Sequence, residues 1–224
     1  MRKSTKVWLI TATALVFGGG IIFAGVMSTL GWDFAKLSTV RYETNTYEIG
    51  ETFSNISLTS DNADIIFALS DDGKCRVECY DEENAKHSAG VENDTLTVKV
   101  NSQKLWYDYI GLSLNSPRIT VYLPKTEYNA LFISESTGDI TLSNVIAKEK
   151  ISVERSTGDV KFNGCDATEI YVRTNTGDVT GSLLSNKTFI ADTNLGDVDV
   201  PKNGNGGKCE IITDVGDIRI TVEP

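Results

Sequence analysis

The stretch ISESTGDITL, Ile133 to Leu142, recurs in outline as VERSTGDVKF (153–162), VRTNTGDVTG (172–181), ADTNLGDVDV (191–200) and IITDVGDIRI (211–220). The five glycines Gly138, Gly158, Gly177, Gly196 and Gly216 are spaced 20, 19, 19 and 20 residues apart. Seven residues before each stands Leu131, Ile151, Ile170, Phe189 or Cys209, and five before stands Ile133, Val153, Val172, Ala191 or Ile211. Two after come Ile140, Val160, Val179, Val198 and Ile218; four after come Leu142, Phe162, Gly181, Val200 and Ile220. Apolar residues thus alternate with polar ones on both sides of each Gly-Asp, which is the period of a half-buried strand. Each unit reads as strand, sharp corner, strand and variable turn. One unit cannot bury its apolar face, but stacked units bury a continuous core. The fold expected is all-β, a β-solenoid or closely related stack of repeats of about 20 residues. Ile56-Ser57-Leu58 and Asp61 to Phe67 fit the same frame, with Ala63 in the glycine slot. Cys75 to Tyr80, Leu96 to Val100 and Ile119 to Leu123 are further strand candidates.

Ahead of the repeats, Val7 to Leu30 contains no charged residue. As a helix its 24 positions span about 36 Å, enough for a hydrocarbon core of roughly 30 Å. Trp8 and Trp32 flank it, and Arg2, Lys3 and Lys6 assign the N-terminus to the cytoplasm. A single-pass signal anchor is expected, with the C-terminal domain extracytoplasmic. The competing reading is a cleaved signal peptide, for which Val26-Met27-Ser28 is the best cleavage candidate. No cysteine lies near the segment, which excludes a lipoprotein anchor. The expected organisation is a cytoplasmic tip (1–6), a transmembrane helix (7–30), a stalk (31–50), an N-terminal β region (51–130) and five TGD-type repeats (131–224).

The part after residue 32 holds 18 basic and 31 acidic residues, a net charge of −13. Such a surface repels phosphate backbones, so nucleic acid is not an expected partner. The partners expected are the membrane, through the chain's own helix, and envelope polymers or other membrane proteins.

The Gly-Asp corners stack Asp139, Asp159, Asp178, Asp197 and Asp217 in one column, with layers about 4.8 Å apart. Like charges at that spacing need hydrogen bonds, solvent or a cation. A calcium ladder is one reading; aspartates capping backbone N–H groups at structural corners is the other, and it is the one expected. Ser136, Ser156, Asn175, Asn194 and Asp214, two residues before the glycines, are candidate partners. Trp106, Tyr107 and Tyr109 form a second candidate, an aromatic segment serving as a binding face or as a plug on the stack.

No enzyme is expected and no cofactor is required. His87 is the only histidine and no G-x-S-x-G, H-E-x-x-H or C-x-x-C accompanies it. Carboxylates are plentiful, but no pair is singled out for glycoside hydrolysis. Cys75 and Cys79 face one side of a strand about 13 Å apart, too far to bridge, and the C-x3-C spacing lacks the turn of a zinc site. All four cysteines are expected as small buried residues. Arg155 and Arg173, just ahead of two corners, are expected to pair with neighbouring acids. KNGNGGK, Lys202 to Lys208, is a glycine-rich turn without the G-K-[ST] ending of a phosphate loop.

The membrane segment ending near Gly31-Trp32, the early FSNISLTSDNADI, the central LWYDYI and ITVYLPK and the serial T-G-D together resemble one group. This is the bacterial "putative adhesin" β-strand-repeat family, catalogued as a domain of unknown function, and the resemblance covers roughly residues 50–224. It implies a right-handed β-helix-like fold outside a bacterial, Gram-positive-type membrane, and it brings no catalytic residues. It also implies two roles: a binding or adhesion module of the cell envelope, or an accessory or sensor in an envelope-stress response.

Overall fold

The computed structural model describes residues 3–37, 40–102, 115–202 and 204–223. The chain divides into two units, residues 1–41 with 110–114, and residues 42–109 with 115–224. In the first unit, helix α1 (Lys3–Thr29) carries no acidic residue in its first turn and no basic residue in its last. Its segment Ser4–Thr29 is long and apolar enough to cross a membrane and is largely exposed, Met27 being buried. The helix ends where Gly31 and Trp32 turn to positive φ and Trp32 N–H donates to the Met27 carbonyl, a left-handed C-terminal cap. A short 3-10 turn, Phe34–Leu37, follows.

The second unit is built of strands β1 (Tyr42–Ile49), β2 (Asn55–Asn62), β3 (Asp64–Leu69), β4 (Cys75–Glu82), β5 (Ala85–Glu92), β6 (Thr95–Ser102), β7 (Arg118–Leu123), β8 (Glu127–Thr137), β9 (Ile140–Ser143), β10 (Ile146–Thr157), β11 (Val160–Cys165), β12 (Glu169–Thr176), β13 (Val179–Leu183), β14 (Thr188–Leu195), β15 (Val198–Asp199), β16 (Lys208–Val215) and β17 (Ile218–Val222). Each repeat supplies one strand to each of two faces, joined at its Gly-Asp corner. On the first face the parallel order is β6-β2-β8-β10-β12-β16-β14. On the second it is β7-β3-β9-β11-β13-β17-β15. This is the expected β-solenoid-like stack.

Two features depart from a simple winding. The coils do not stack in chain order: β2/β3 lies between β6/β7 and β8/β9, and β16/β17 lies between β12/β13 and β14/β15. One end is also closed by antiparallel strands, with β5 against β6, and β4 against β7 with β1 outside it. The stalk expected over 31–50 is therefore shorter, because 42–49 is strand β1. The reason is chemical: Tyr47 and Ile49 pack on the core, and Tyr42 stacks on Tyr80 at 5.0 Å between centroids.

The alternating columns meet between the faces. Ile56, Leu131, Ile151, Ile170 and Cys209 stack as one inward column, and Ile65, Ile140, Val160, Val179 and Ile218 oppose it as another, all buried. Full burial of each Leu, Ile or Val contributes about 1.5–3 kcal/mol, so the repeated columns supply the fold's main driving force. Cys75, Cys79, Cys165 and Cys209 are buried free thiols within this core, and burial pushes Cys75, Cys79 and Cys209 up to about 12.

Candidate functional site

The Gly-Asp corners form a continuous hydrogen-bonded ladder. The Asp139 N–H donates to Asp64 Oδ1 (3.0 Å), Asp159 N–H to Asp139 Oδ1 (2.9 Å) and Asp178 N–H to Asp159 Oδ1 (2.8 Å). The ladder continues through Asp217 N–H to Asp178 Oδ1 (2.8 Å) and ends with Asp197 N–H to Asp217 Oδ1 (2.7 Å). All five aspartates of the repeats are thus brought together, joined by Asp64, and Asp197 stands last. Each amide places a positive dipole end against the carboxylate below it, which offsets the repulsion between layers. The Asp197 N–H, joined by Arg219 at 2.6 Å, holds the Asp217 carboxyl below the usual range. In the column two residues before the glycines, Asn194 Nδ2 donates to Asp214 Oδ1 at 3.2 Å.

The glycines are what allow the ladder to close. At Gly177 (φ +145°) a Cβ would overlap the Gly158 carbonyl oxygen of the next coil. Ala63 is tolerated in the same slot because its φ, unlike that of the five corner glycines, is not positive. The KNGNGGK turn has a related cause: a Cβ at Gly207 would overlap the Thr168 carbonyl of a neighbouring turn.

Inside the corner runs a buried polar column of Ser60, Glu135, Arg155, Thr174 and Thr213. Glu135 Oε1 accepts the Ala63 N–H at 3.1 Å, and Arg155 donates to the carbonyls of Thr157 and Asp159. Arg155 Nη2 stands 3.9 Å from Glu135 Oε2, an ion pair with both side chains fully buried. Burial raises the Glu135 carboxyl to about 7, against the opposing pull of the Ala63 N–H and Arg155; burial likewise lowers Arg155. Thr213 Oγ1 donates to the Gly177 carbonyl at 3.2 Å, and Thr193 Oγ1 to that of Gly216 at 2.9 Å. Arg155 thus finds the acid expected of it, across the stack and in the interior.

His87 has partners that its polar sequence context gave no sign of. Its Nδ1 lies 2.6 Å from Asp81 Oδ1, its Nε2 lies 2.9 Å from Ser60 Oγ, and its backbone N–H donates to Asp81 Oδ2 at 2.7 Å. The order Ser-His-Asp resembles a nucleophile relay, but a nucleophile must reach substrate. Ser60 is 2 % exposed and points into the corner column. A cavity of about 260 Å³ beside the trio is lined by His87, Asp61, Asn62 and Glu82 among others, and Ser60 is not in its wall. What the trio does is tie β5 to β4 and β2 at the closed end.

A larger groove, about 930 Å³, opens on the turn side at that same end. It is formed by the 49–53, 72–75 and 124–128 turns, with Phe53 and Tyr128 stacked at 5.6 Å in its wall and Glu48, Glu51 and Asp72 around it against a single Lys74. An aromatic wall with an acidic rim suits an elongated ligand carrying apolar and cationic or hydroxyl groups. Trp106, Tyr107 and Tyr109 lie outside the described residues. Among the described residues, no three His, Cys, Asp or Glu side chains converge as a metal-holding group.

Comparison with solved structures places this architecture among known folds. A putative cell adhesion protein from Clostridium sporogenes is similar with a TM-score of 0.62 at 15 % identity, covering 83 % of this chain and 100 % of its own. A putative adhesin from Bacteroides fragilis aligns with a TM-score of 0.40 at 15 % identity (81 % and 97 % covered), and a putative lipid binding protein from Parabacteroides distasonis with 0.31 at 15 % (82 % and 98 %). Only the first supports an argument, and it concerns the fold. No curated protein sequence matches the chain. The model of one family, Toastrack DUF4097, matches residues 53–223, from the first corner-bearing coil to the last strand of the stack. The chain belongs to the Toastrack DUF4097 family.

Proposed function

We propose that this chain is a non-enzymatic binding module of the bacterial cell envelope, held by its N-terminal helix on the extracytoplasmic face of the cell membrane. The observation that carries the reading is the groove at the closed end of the stack, an aromatic and acidic recess open to solvent on a rigid scaffold. The name borne by the Clostridium sporogenes structure, a putative cell adhesion protein, is that of a binding protein and agrees with this class. The buried setting of Ser60, His87 and Asp81 favours a structural role for the trio over turnover. Binding of envelope polymer to the full chain in nanodiscs tests the reading, with Phe53→Ala and Glu51→Lys as groove variants. Retention of polymer by the wild type and at least a tenfold loss in the variants is expected. Equal retention by all three would remove the groove from the proposal. Replacing residues 7–30 by an unrelated anchor separates this role from a helix-mediated stress role, because binding then survives and stress signalling does not.

A further inference from the structure

The two ends of the stack are unlike. One is covered by antiparallel strands β1, β4 and β5. At the other, the outer edges of β14 and β15 pair with no strand among the described residues. Both edges therefore present unpaired backbone donors and acceptors, the surface most prone to recruit another strand. The core is uncovered there too: Val198 is 44 % exposed, whereas Ile140, Val160, Val179 and Ile218 in the same slot are fully buried.

The sequence treats this end differently. The residue just before the glycine is Thr137, Thr157 or Thr176 in the inner coils, but Leu195 and Val215 in the two coils nearest the free end. Leu195 is 68 % exposed, and Val215 and Ile190 are close to half exposed. Inner coils thus place a polar residue outside the corner, and the outermost coils place an apolar one. Charge is divided as well: Asp192, Asp197, Asp199 and Asp214 lie toward the corner, while Lys202 and Lys208, the latter paired with Glu210 at 2.7 Å, lie at the turn side. Asp197, last in the ladder, has no further coil to supply an amide to its carboxylate.

We infer that two copies of this chain associate through these free ends, β14 antiparallel to β14 about a two-fold axis. A head-to-tail neighbour would have to offer an open parallel edge, and the opposite end of the stack is covered. The two-fold arrangement uses the same surface twice and joins apolar Ile190 and Leu195 to their copies. It also sets the acidic corner of one copy against the basic turn of the other, Asp197 included, which parallel stacking would not. The grooves, at the closed ends, stay open in such a pair, and the pair holds two of them. Bivalent engagement of a polymer then gains from effective concentration with no new contact.

The test uses the full chain in nanodiscs or detergent, with single cysteines placed in turn at Ile190, Asp192 and Asn194, and at Thr46 on β1 as control. The four native thiols are buried and leave the background low. Oxidation should give a disulfide-linked pair at one or more of the β14 positions and none at Thr46. Light scattering should give the mass of two copies for wild type, and of one copy for Ile190→Lys/Leu195→Lys and for Leu195→Glu alone, with a cooperative melt retained and lowered only by the loss of association. A one-copy mass for wild type at every concentration overturns the inference. So does a two-copy mass that survives the variants without a β14 crosslink, which would place association in the membrane helix. A foreign protein crosslinked at Ile190 would equally overturn it in favour of another partner. Groove binding is read separately, so loss of pairing with groove binding intact leaves the proposed function standing.

Discussion

At the residue scale the glycine of each corner is set by its neighbour in the stack. Gly177 needs positive φ and lies against the Gly158 carbonyl, with a further coil packed beyond it. Gly177→Ala should therefore cost about 2–5 kcal/mol in urea unfolding, since strain and overlap both apply. Gly196 meets the Gly216 carbonyl and Asp217 Oδ1 but ends the stack, so its coil can shift outward and Gly196→Ala should fall at the bottom of that range. The aspartate beside each glycine has its own task, because Oδ1 takes the next amide. With the repulsion offset in this way, added calcium should leave the melting temperature unchanged; an upward shift would restore the ladder as a cation site. Glu135 titrates in the opposite sense from Asp217. Its carboxyl is raised from 4.5 to about 7, so between those values the folded chain holds a proton that the unfolded chain has released. Stability then falls as pH rises through that window. Asp217 is lowered, so its contribution is lost as pH falls through its folded value. Glu135→Gln should flatten melting temperature against pH across the Glu135 window, with Arg155 still held by the Thr157 and Asp159 carbonyls. The Gly-Asp repeat was legible because five corners impose one chemical requirement. An acid partner for Arg155 was legible too, but its identity as Glu135 and its burial were not, because Glu135 and Arg155 are each a single departure from a slot that is otherwise Ser or Thr.

At the scale of elements, strands were readable wherever apolar and polar residues alternate, down to the individual inward columns. The closed end was not, because its geometry depends on side chains that meet across strands. His87 sits among DEENAKHS, a polar stretch. Its ring nevertheless bridges Asp81 at 2.6 Å and Ser60 at 2.9 Å, drawing the β4–β5 hairpin over the stack. His87→Ala leaves the fully buried Asp81 carboxylate without its main partner and should cost about 3–5 kcal/mol. Ser60→Ala removes one neutral hydrogen bond and should cost about 1 kcal/mol. Hydrogen exchange followed by mass spectrometry locates the effect: β1, β4 and β5 should lose protection first in His87→Ala, with β12 and β16 near wild type. Uniform loss of protection across all strands would mean that the hairpin is no separable cap.

At the scale of the whole molecule, stacking order is the property that sequence conceals most completely. Every repeat offers the same columns, so each could follow any other, and chain order is the natural guess. The order is instead fixed by which edges pair, and β16/β17 enters between β12/β13 and β14/β15. The change from Thr to Leu or Val before the glycine in the last two coils is the one trace left in the sequence. The consequence is that the C-terminal repeat is an interior layer and the repeat before it is the end. In a stack wound in chain order, trimming from the C-terminus peels off the outermost coil. Here, deleting residues 203–224 removes β16 and β17 and leaves β14/β15 separated from β12/β13 by an empty layer, about 4.8 Å too far to pair without sliding. Deleting residues 188–206 instead removes only the outermost coil and joins Lys187 to Gly207. The connection from β13 to β16 then spans one layer, where the natural one from β13 to β14 spans two. The internal deletion should keep a cooperative melt within a few degrees of wild type, while the terminal deletion should lose several times more or fail to fold. Matched thermal melts of the two full-length-anchored variants decide the matter, and the reverse ranking would show that the coils stack in chain order after all.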